Sequence, residues 1–271
     1  MEEHISRLTE WVNHIFAPYA LMLYHALHIQ PADYERPIPE YFVMSVLTLL
    51  VGVTLAMIVR ANLSVDRPGT AQQIAELLIT NSMGFGVKDL LEENAGPNAV
   101  QFIAFTGSIS IYVLLANLLG VVPALKSPTS FAIVPLGCAM LTFFYFNWQG
   151  LRHHGPLGYA KHFVGPMPAL AILIFPVEIL STIARLLSLT VRLWANIFAS
   201  DLIYVVFLGL LVAPTQWGWA KNPVLGVVLG IFAVFVPILF VGLHIFVSIV
   251  QAYIFTVLPS IYIGQAVAEE H

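Results

Sequence analysis

Two apolar stretches, Ala169 to Val212 and Val224 to Ile263, restrict this chain more than any other feature of its sequence. A helix rises 1.5 Å per residue, so about 40 residues make a rod of roughly 60 Å, twice the hydrocarbon thickness of a bilayer. Each stretch is therefore expected to be a helix that is either broken or strongly tilted. Pro237 and Pro259 are candidate kinks in the second. Charged residues are only 10% of the chain and apolar ones 59%, with a mean hydropathy of +0.85. A soluble chain needs about a quarter charged to cover its surface, whereas a lipid-facing surface needs no charge at all. The expectation is an all-α polytopic membrane protein.

Three shorter spans precede the long pair, giving about five crossings. Tyr41 to Val59 carries no charge and ends at Arg60, defining a span over 41–60. Val100 to Val122, stopped by Pro123, defines a second over 99–123, and Phe131 to Trp148 a third over 131–149. The long pair occupies 168–212 and 224–264, joined by an interfacial turn with Pro214, Trp217, Trp219 and Pro223. Gly226 and Gly230 form a GxxxG, a weak sign of close helix packing. Residues 1–40 are polar enough to lie outside the bilayer with a short interfacial helix. The apolar stretch Ile15 to Leu27 follows Glu2, Glu3 and Glu10 rather than a basic start, so no secretory signal is expected there. In the surface segment 61–98, Ile74, Leu77, Leu78 and Phe85 recur at helical intervals, interrupted by Asn81. That pattern fits an amphipathic helix on the membrane or an ordinary surface helix. Gly150 to Pro168 is polar and is expected to be a connection. Its His153 and His154 are adjacent rather than on one helix face, so with His162 they fit a solvated loop better than a metal site. With an odd number of crossings, Arg60, Arg67, Lys88, Arg152 and Lys161 share one side, against Arg7, Arg36, Lys126 and Lys221. This weak asymmetry favours a cytoplasmic C-terminus.

Composition also excludes functions. A net charge of −4 with no basic patch gives nothing to neutralise phosphates. The single Cys138 cannot form an internal disulfide and is expected simply to pack. No cofactor or metal is called for.

The informative residues are ionisable groups inside the long stretches: Glu178, Arg185, Arg192, Asp201 and His244, with the amides Asn196 and Gln251. Insertion scales put a central Arg or Asp at about +2.5 to +3.5 kcal/mol, so such residues mark water-filled paths or protein contacts. Glu178, Arg185 and Arg192 are separated by sevens, and seven residues drift only about 20° on a helix. They share one stripe, which Asn196 joins four residues later. Asp201, nine residues past Arg192, falls on the opposite face and is no simple ion-pair partner for it. His244 and Gln251 again differ by seven. One account is that the charges only pair to hold helices together. The other is a polar path with separated titratable stations. Carboxylates and histidine can be tuned across neutral pH. Arginine cannot release its proton, so it would repel a hopping proton and attract a partner's carboxylate.

The stretch Ser188 to Asp201, SLTVRLWANIFASD, resembles the signature of F-type ATP synthase subunit a. Asn117-Leu118-Leu119-Gly120 followed by Pro123 is similar to the family's second membrane helix. Gln251-Ala252-Tyr253-Ile254-Phe255, with His244 upstream, is similar to its last helix. The terminal Glu269-Glu270-His271 resembles the end of many bacterial members. The likeness runs from about Tyr41 onward; residues 1–40 match little. Ala195 and Ser200 stand where glycines are expected, and Asp201 where many relatives carry Glu.

The resemblance implies a proton-translocating, non-catalytic stator subunit of the Fo sector in a bacterial inner membrane. Its partners would be a ring of c subunits, the b subunits of the peripheral stalk, the remaining synthase subunits and lipid. It implies that Arg192 faces the ring, with Asn196 beside it. Asp201, His244 and Gln251 would line the periplasmic half-channel. Glu178 would line the cytoplasmic one, with Ser188 as a possible contributor and Arg185 near the cytoplasmic end. Protons are the expected ion, although selectivity would rest largely on the partner's carboxylate. A stand-alone proton-coupled secondary transporter is the alternative, but no internal repeat is evident. An intramembrane enzyme lacks support, because neither HExxH nor GxSxG occurs.

Overall fold

In a bilayer no water satisfies an exposed backbone, and a helix closes its hydrogen bonds within one segment. The computed structural model describes residues 6–31, 33–65, 67–80, 86–122, 125–164 and 171–267, and their regular structure is all helical. In chain order the helices are α1 (Arg7–Ala26), α2 (Glu40–Ala61), α3 (Thr70–Ile79), α4 (Val87–Ala95), α5 (Ile103–Leu119), α6 (Ile133–Val164), α7 (Ala171–Lys221) and α8 (Pro223–Val267). Short 3-10 turns, Pro97–Phe102 and Pro128–Ser130, precede α5 and α6. Among the described residues, four helical stretches are long and apolar enough to cross a membrane: Glu40–Ala61, Ala99–Leu119, Ile172–Lys221 and Pro223–Val267. The expected all-α membrane architecture is the one observed.

Several local expectations change. The span expected over 131–149 is the start of α6, but Asn147, Gln149 and Arg152 dilute its apolar run, and it is not one of the four. The expected connection from Gly150 is helical: α6 runs to His154, breaks at Gly155 (φ 71°) and resumes from Pro156. Glycine adopts that left-handed turn without a Cβ penalty, and proline at the first position of the next turn needs no amide partner. The His153 and His154 rings meet edge to face, 4.9 Å between centroids. No metal-binding cluster occurs among the described residues. The turn expected between the long stretches shrinks to Asn222 alone. α7 passes through Pro214 and ends at Lys221, and the Asn222 side chain caps α8 by accepting from the Val224 amide at 2.9 Å. α8 carries Pro237 and Pro259 without interruption. The surface segment forms two helices, α3 and α4, with Ile74, Leu77 and Leu78 exposed on the first; Asn81 and Phe85 lie outside the described residues. The short helix expected near the N-terminus is the 20-residue α1.

The chain divides into two units. The first comprises Met1–Val51, Leu115–Val134 and Ala195–Ser248; the second comprises Gly52–Leu114, Pro135–Trp194 and Ile249–His271. The second unit has an apolar core of Val87, Leu91, Ala99, Phe102, Phe146, Tyr159, Ile263 and Ala266. After the Gly155 break, Tyr159 folds back on Gly150 and donates to Asn147 Oδ1 at 2.9 Å. Ser110 Oγ donates to the Ala252 carbonyl at 3.1 Å and receives Thr256 Oγ1 at 2.8 Å, stitching α5 to α8. A side chain at Gly264 would run into the carbonyl of Asn94 at the end of α4. Gly264→Ala is therefore expected to push α4 off α8 and destabilise the protein by about 1–3 kcal/mol, the usual cost of overpacking. A lowered thermal midpoint of the purified protein in detergent, with Gly242→Ala as control, checks this; among the described residues nothing beyond its own helix turn comes within 4 Å of a Cβ at Gly242.

Candidate functional site

The first unit assembles a polar cluster around His244 on α8. The ring is buried, with its side chain 9% exposed. Its Nε2 lies 3.1 Å from the carbonyl oxygen of Asn117, at the end of α5. A carbonyl only accepts, so Nε2 carries the hydrogen. Nδ1 lies 3.0 Å from Ser200 Oγ and 3.8 Å from Asp201 Oδ1. In the neutral ring Nδ1 is thus the acceptor, and Ser200 donates to it. Nδ1 is the ring nitrogen on the side where Asp201 stands. Asp201 is the wetter partner, its side chain 41% exposed. The pair thus sets a partly exposed carboxylate beside a buried imidazole.

The loop after α5 holds this arrangement. Ser127 Oγ donates to the Ala116 carbonyl at 2.9 Å, closing the last turn of α5. Thr129 Oγ1 donates to Asn117 Oδ1. Gly120 leaves room for the ring, since a Cβ there would sit 3.4 Å from His244 Nε2 and 3.1 Å from Ser127 Cβ. Lys126, in the same loop, pairs with Glu40 at 3.2 Å.

The second unit holds Glu178, Arg185 and Arg192 of α7. Arg185 meets Glu178 at 3.7 Å, and its guanidinium carbon lies 5.5 Å from the Tyr262 ring centroid. Arg192 differs. Its hydrogen bond runs along its own helix to Ser188 Oγ at 3.4 Å, and among the described residues it makes no ion pair. Gln251 is buried, 1% exposed, and among the described residues its Oε1 has no hydrogen-bond partner. Asn196, in the first unit, is exposed.

Of the residues singled out by sequence, Asp201 and His244 are brought together, as are Glu178 with Arg185 and Ser188 with Arg192. Gln251 and Asn196 join none of these pairs. Sequence reasoning gave Ser200 and Asn117 no part in the site. Ser200 stood out only as a substituted glycine, and Asn117 only as part of a helix motif. Both contacts to His244 form across long sequence separations, and no local spacing encodes them.

The fold and these residues define a polytopic all-α membrane protein that carries separated ionisable groups in its two longest helices. Residues 41–264 match the family model described as ATP synthase A chain. The ATP synthase subunit a of Solibacter usitatus is 42% identical over 240 residues, covering 89% of this chain and 92% of the relative. That of Koribacter versatilis is 36% identical over 263 residues, 97% of each chain. That of Aquifex aeolicus is 36% identical over 186 residues, 68% of this chain and 80% of the relative. The chain belongs to the ATP synthase subunit a family.

Proposed function

We propose that this chain is the proton-translocating stator subunit of an F-type ATP synthase, non-catalytic by itself and resident in a bacterial inner membrane. The observation that carries the role is the contrast between two arginines of one helix. Arg185 has Glu178, while Arg192 has no acid among the described residues and only Ser188 beside it. A permanent cation in an apolar helix is costly unless a partner supplies the countercharge. The partner of matching chemistry is a carboxylate on a ring of c subunits.

In this scheme a proton enters at Asp201, is held at Nδ1 of His244 and passes to a rotor carboxylate, with Gln251 and Asn196 as polar lining. The neutral carboxyl turns through lipid and returns to Arg192, which favours its ionised form. The released proton leaves by the side lined by Glu178, with Ser188 holding Arg192 and Arg185 balancing Glu178. Arg192 keeps the inlet and the outlet from joining. Each proton falling through 100 mV supplies about 2.3 kcal/mol, so several steps accumulate as rotation. The b subunits would hold the chain still against the ring.

Affinity purification of the tagged chain from its membrane tests the proposal. The expected result is a co-purifying ring of small two-helix subunits with the remaining synthase subunits, and proton-driven ATP synthesis after reconstitution. A chain that purifies alone and moves a solute in liposomes would instead be a secondary transporter.

A further inference from the structure

Helix α1 is amphipathic in an inverted sense: its polar face is turned into the protein and its apolar face is left uncovered. Ser6 caps the helix, its Oγ accepting from the Thr9 amide at 3.3 Å, while its own amide donates to Glu40 Oε1 at 2.9 Å. Asn13 Nδ2 donates to the Ile38 carbonyl at 2.9 Å, and the Ile38 amide donates back to Asn13 Oδ1 at 3.0 Å. Thr9 and Asn13 are 2% and 4% exposed. At 100° per residue, Trp11, Ile15, Tyr19 and Met22 fall within one arc on another side, and Trp11, Tyr19 and Met22 are 60%, 70% and 74% exposed. Nothing charged interrupts that arc. Glu10 and His14 flank it, both exposed.

Glu40 fixes the level of this helix. It is the first residue of α2, where the first span begins, and it holds the N-terminus of α1 directly. Below it, Phe42, Leu49 and Leu50 of α2 are exposed, the surface that lipid covers in a spanning helix. The uncovered arc of α1 and these apolar α2 residues belong to the same unit, joined at Glu40. Aromatic rings with one polar edge, such as Trp11 and Tyr19, suit the headgroup boundary. A helix with one broad apolar arc and a polar flank lies in that plane.

We propose that α1 is an in-plane membrane helix whose Trp11–Ile15–Tyr19–Met22 arc is sunk into the lipid at the level where α2 enters the bilayer. The helix then acts as a float, setting the depth of Glu40 and, through the Glu40–Lys126 pair, of the loop that carries Ser127 and Thr129. This stands apart from the proton-path proposal and holds or fails without it.

Single cysteines placed at Trp11, Ile15, Tyr19 and Met22, and at Glu10 and His14, in a Cys138→Ala background of the whole complex test it. Each carries an environment-sensitive fluorophore in phosphatidylcholine–phosphatidylglycerol vesicles whose acyl chains are brominated near the headgroup. Quenching is expected at the four arc positions and not at Glu10 or His14, and a water-soluble maleimide should label the arc positions many-fold more slowly. Should one substitution prevent assembly, Leu8 and Ala26 supply further positions in the same arc. Equal maleimide rates on both faces would overturn the proposal. So would an arc shielded from maleimide yet unquenched by bromine, because that pattern means a protein partner covers it.

Discussion

Arg192→Ala is expected to reduce proton-driven ATP synthesis to background while leaving the complex assembled. The side chain makes one long hydrogen bond, 3.4 Å to Ser188 on the same helix, so its loss removes little that holds the fold. A change in stability within about 0.5 kcal/mol is the ordinary result for such a position. Function is a different matter. No other residue in the described chain offers an unpaired guanidinium on α7, since Arg185 is taken by Glu178. Without the cation, a returning carboxyl has no reason to ionise, and nothing repels a proton from crossing between the two sides. Passive proton leak through membranes stripped of the catalytic head should therefore rise as synthesis falls. Arg192→Lys keeps the charge but loses the planar fork, and is expected to restore the barrier to leak better than it restores synthesis. Synthesis at the normal rate in Arg192→Ala would remove the role assigned to this residue.

The second large effect is expected at Asp201. Asparagine preserves size and polarity but cannot take up a proton, whereas glutamate keeps the acid on a longer arm. Asp201→Asn is expected to slow proton uptake by about a hundredfold, the lower end of what a positioned acid–base group contributes. Asp201→Glu should stay within several-fold, because a carboxylate still approaches Nδ1 of His244, now 3.8 Å away. Potential-driven proton uptake into vesicles stripped of the catalytic head, followed by a pH-sensitive dye, separates the two. Equal rates for the amide and the acid would show that Asp201 does not titrate during transport. His244→Gln should behave like Asp201→Asn, since its amide can bond to Ser200 and Asn117 but cannot store a proton.

The parts of the molecule that could be read from the sequence are those governed by local rules. The long apolar runs announce α7 and α8 because nothing but a membrane helix closes that many backbone hydrogen bonds without water. The sevenfold spacing of Glu178, Arg185 and Arg192 reports a shared stripe, and the first two of them meet. The limits of those helices were not legible. Pro214 and the tryptophans of 217 and 219 have the composition of a turn, yet α7 continues through them. A proline removes one amide donor, and the rest of a long helix tolerates that loss. A short helix is expected near the N-terminus, but the 20-residue extent of α1 was hidden for a related reason: a helix that turns Thr9 and Asn13 inward and Trp11 and Tyr19 outward has no soluble-protein pattern to match. The surroundings of His244 were hidden because Asn117 lies 127 residues away.

The link between α7 and α8 has a consequence for biosynthesis. One residue, Asn222, reverses the chain, and the reversal is completed by contacts on both arms: a Cβ at Gly226 would strike the Trp219 ring, and one at Gly218 would strike Leu229. A connection that short has no slack with which one arm could settle ahead of the other. During synthesis the bend therefore cannot close before residues as far along as Leu229 are free to pack on the first arm.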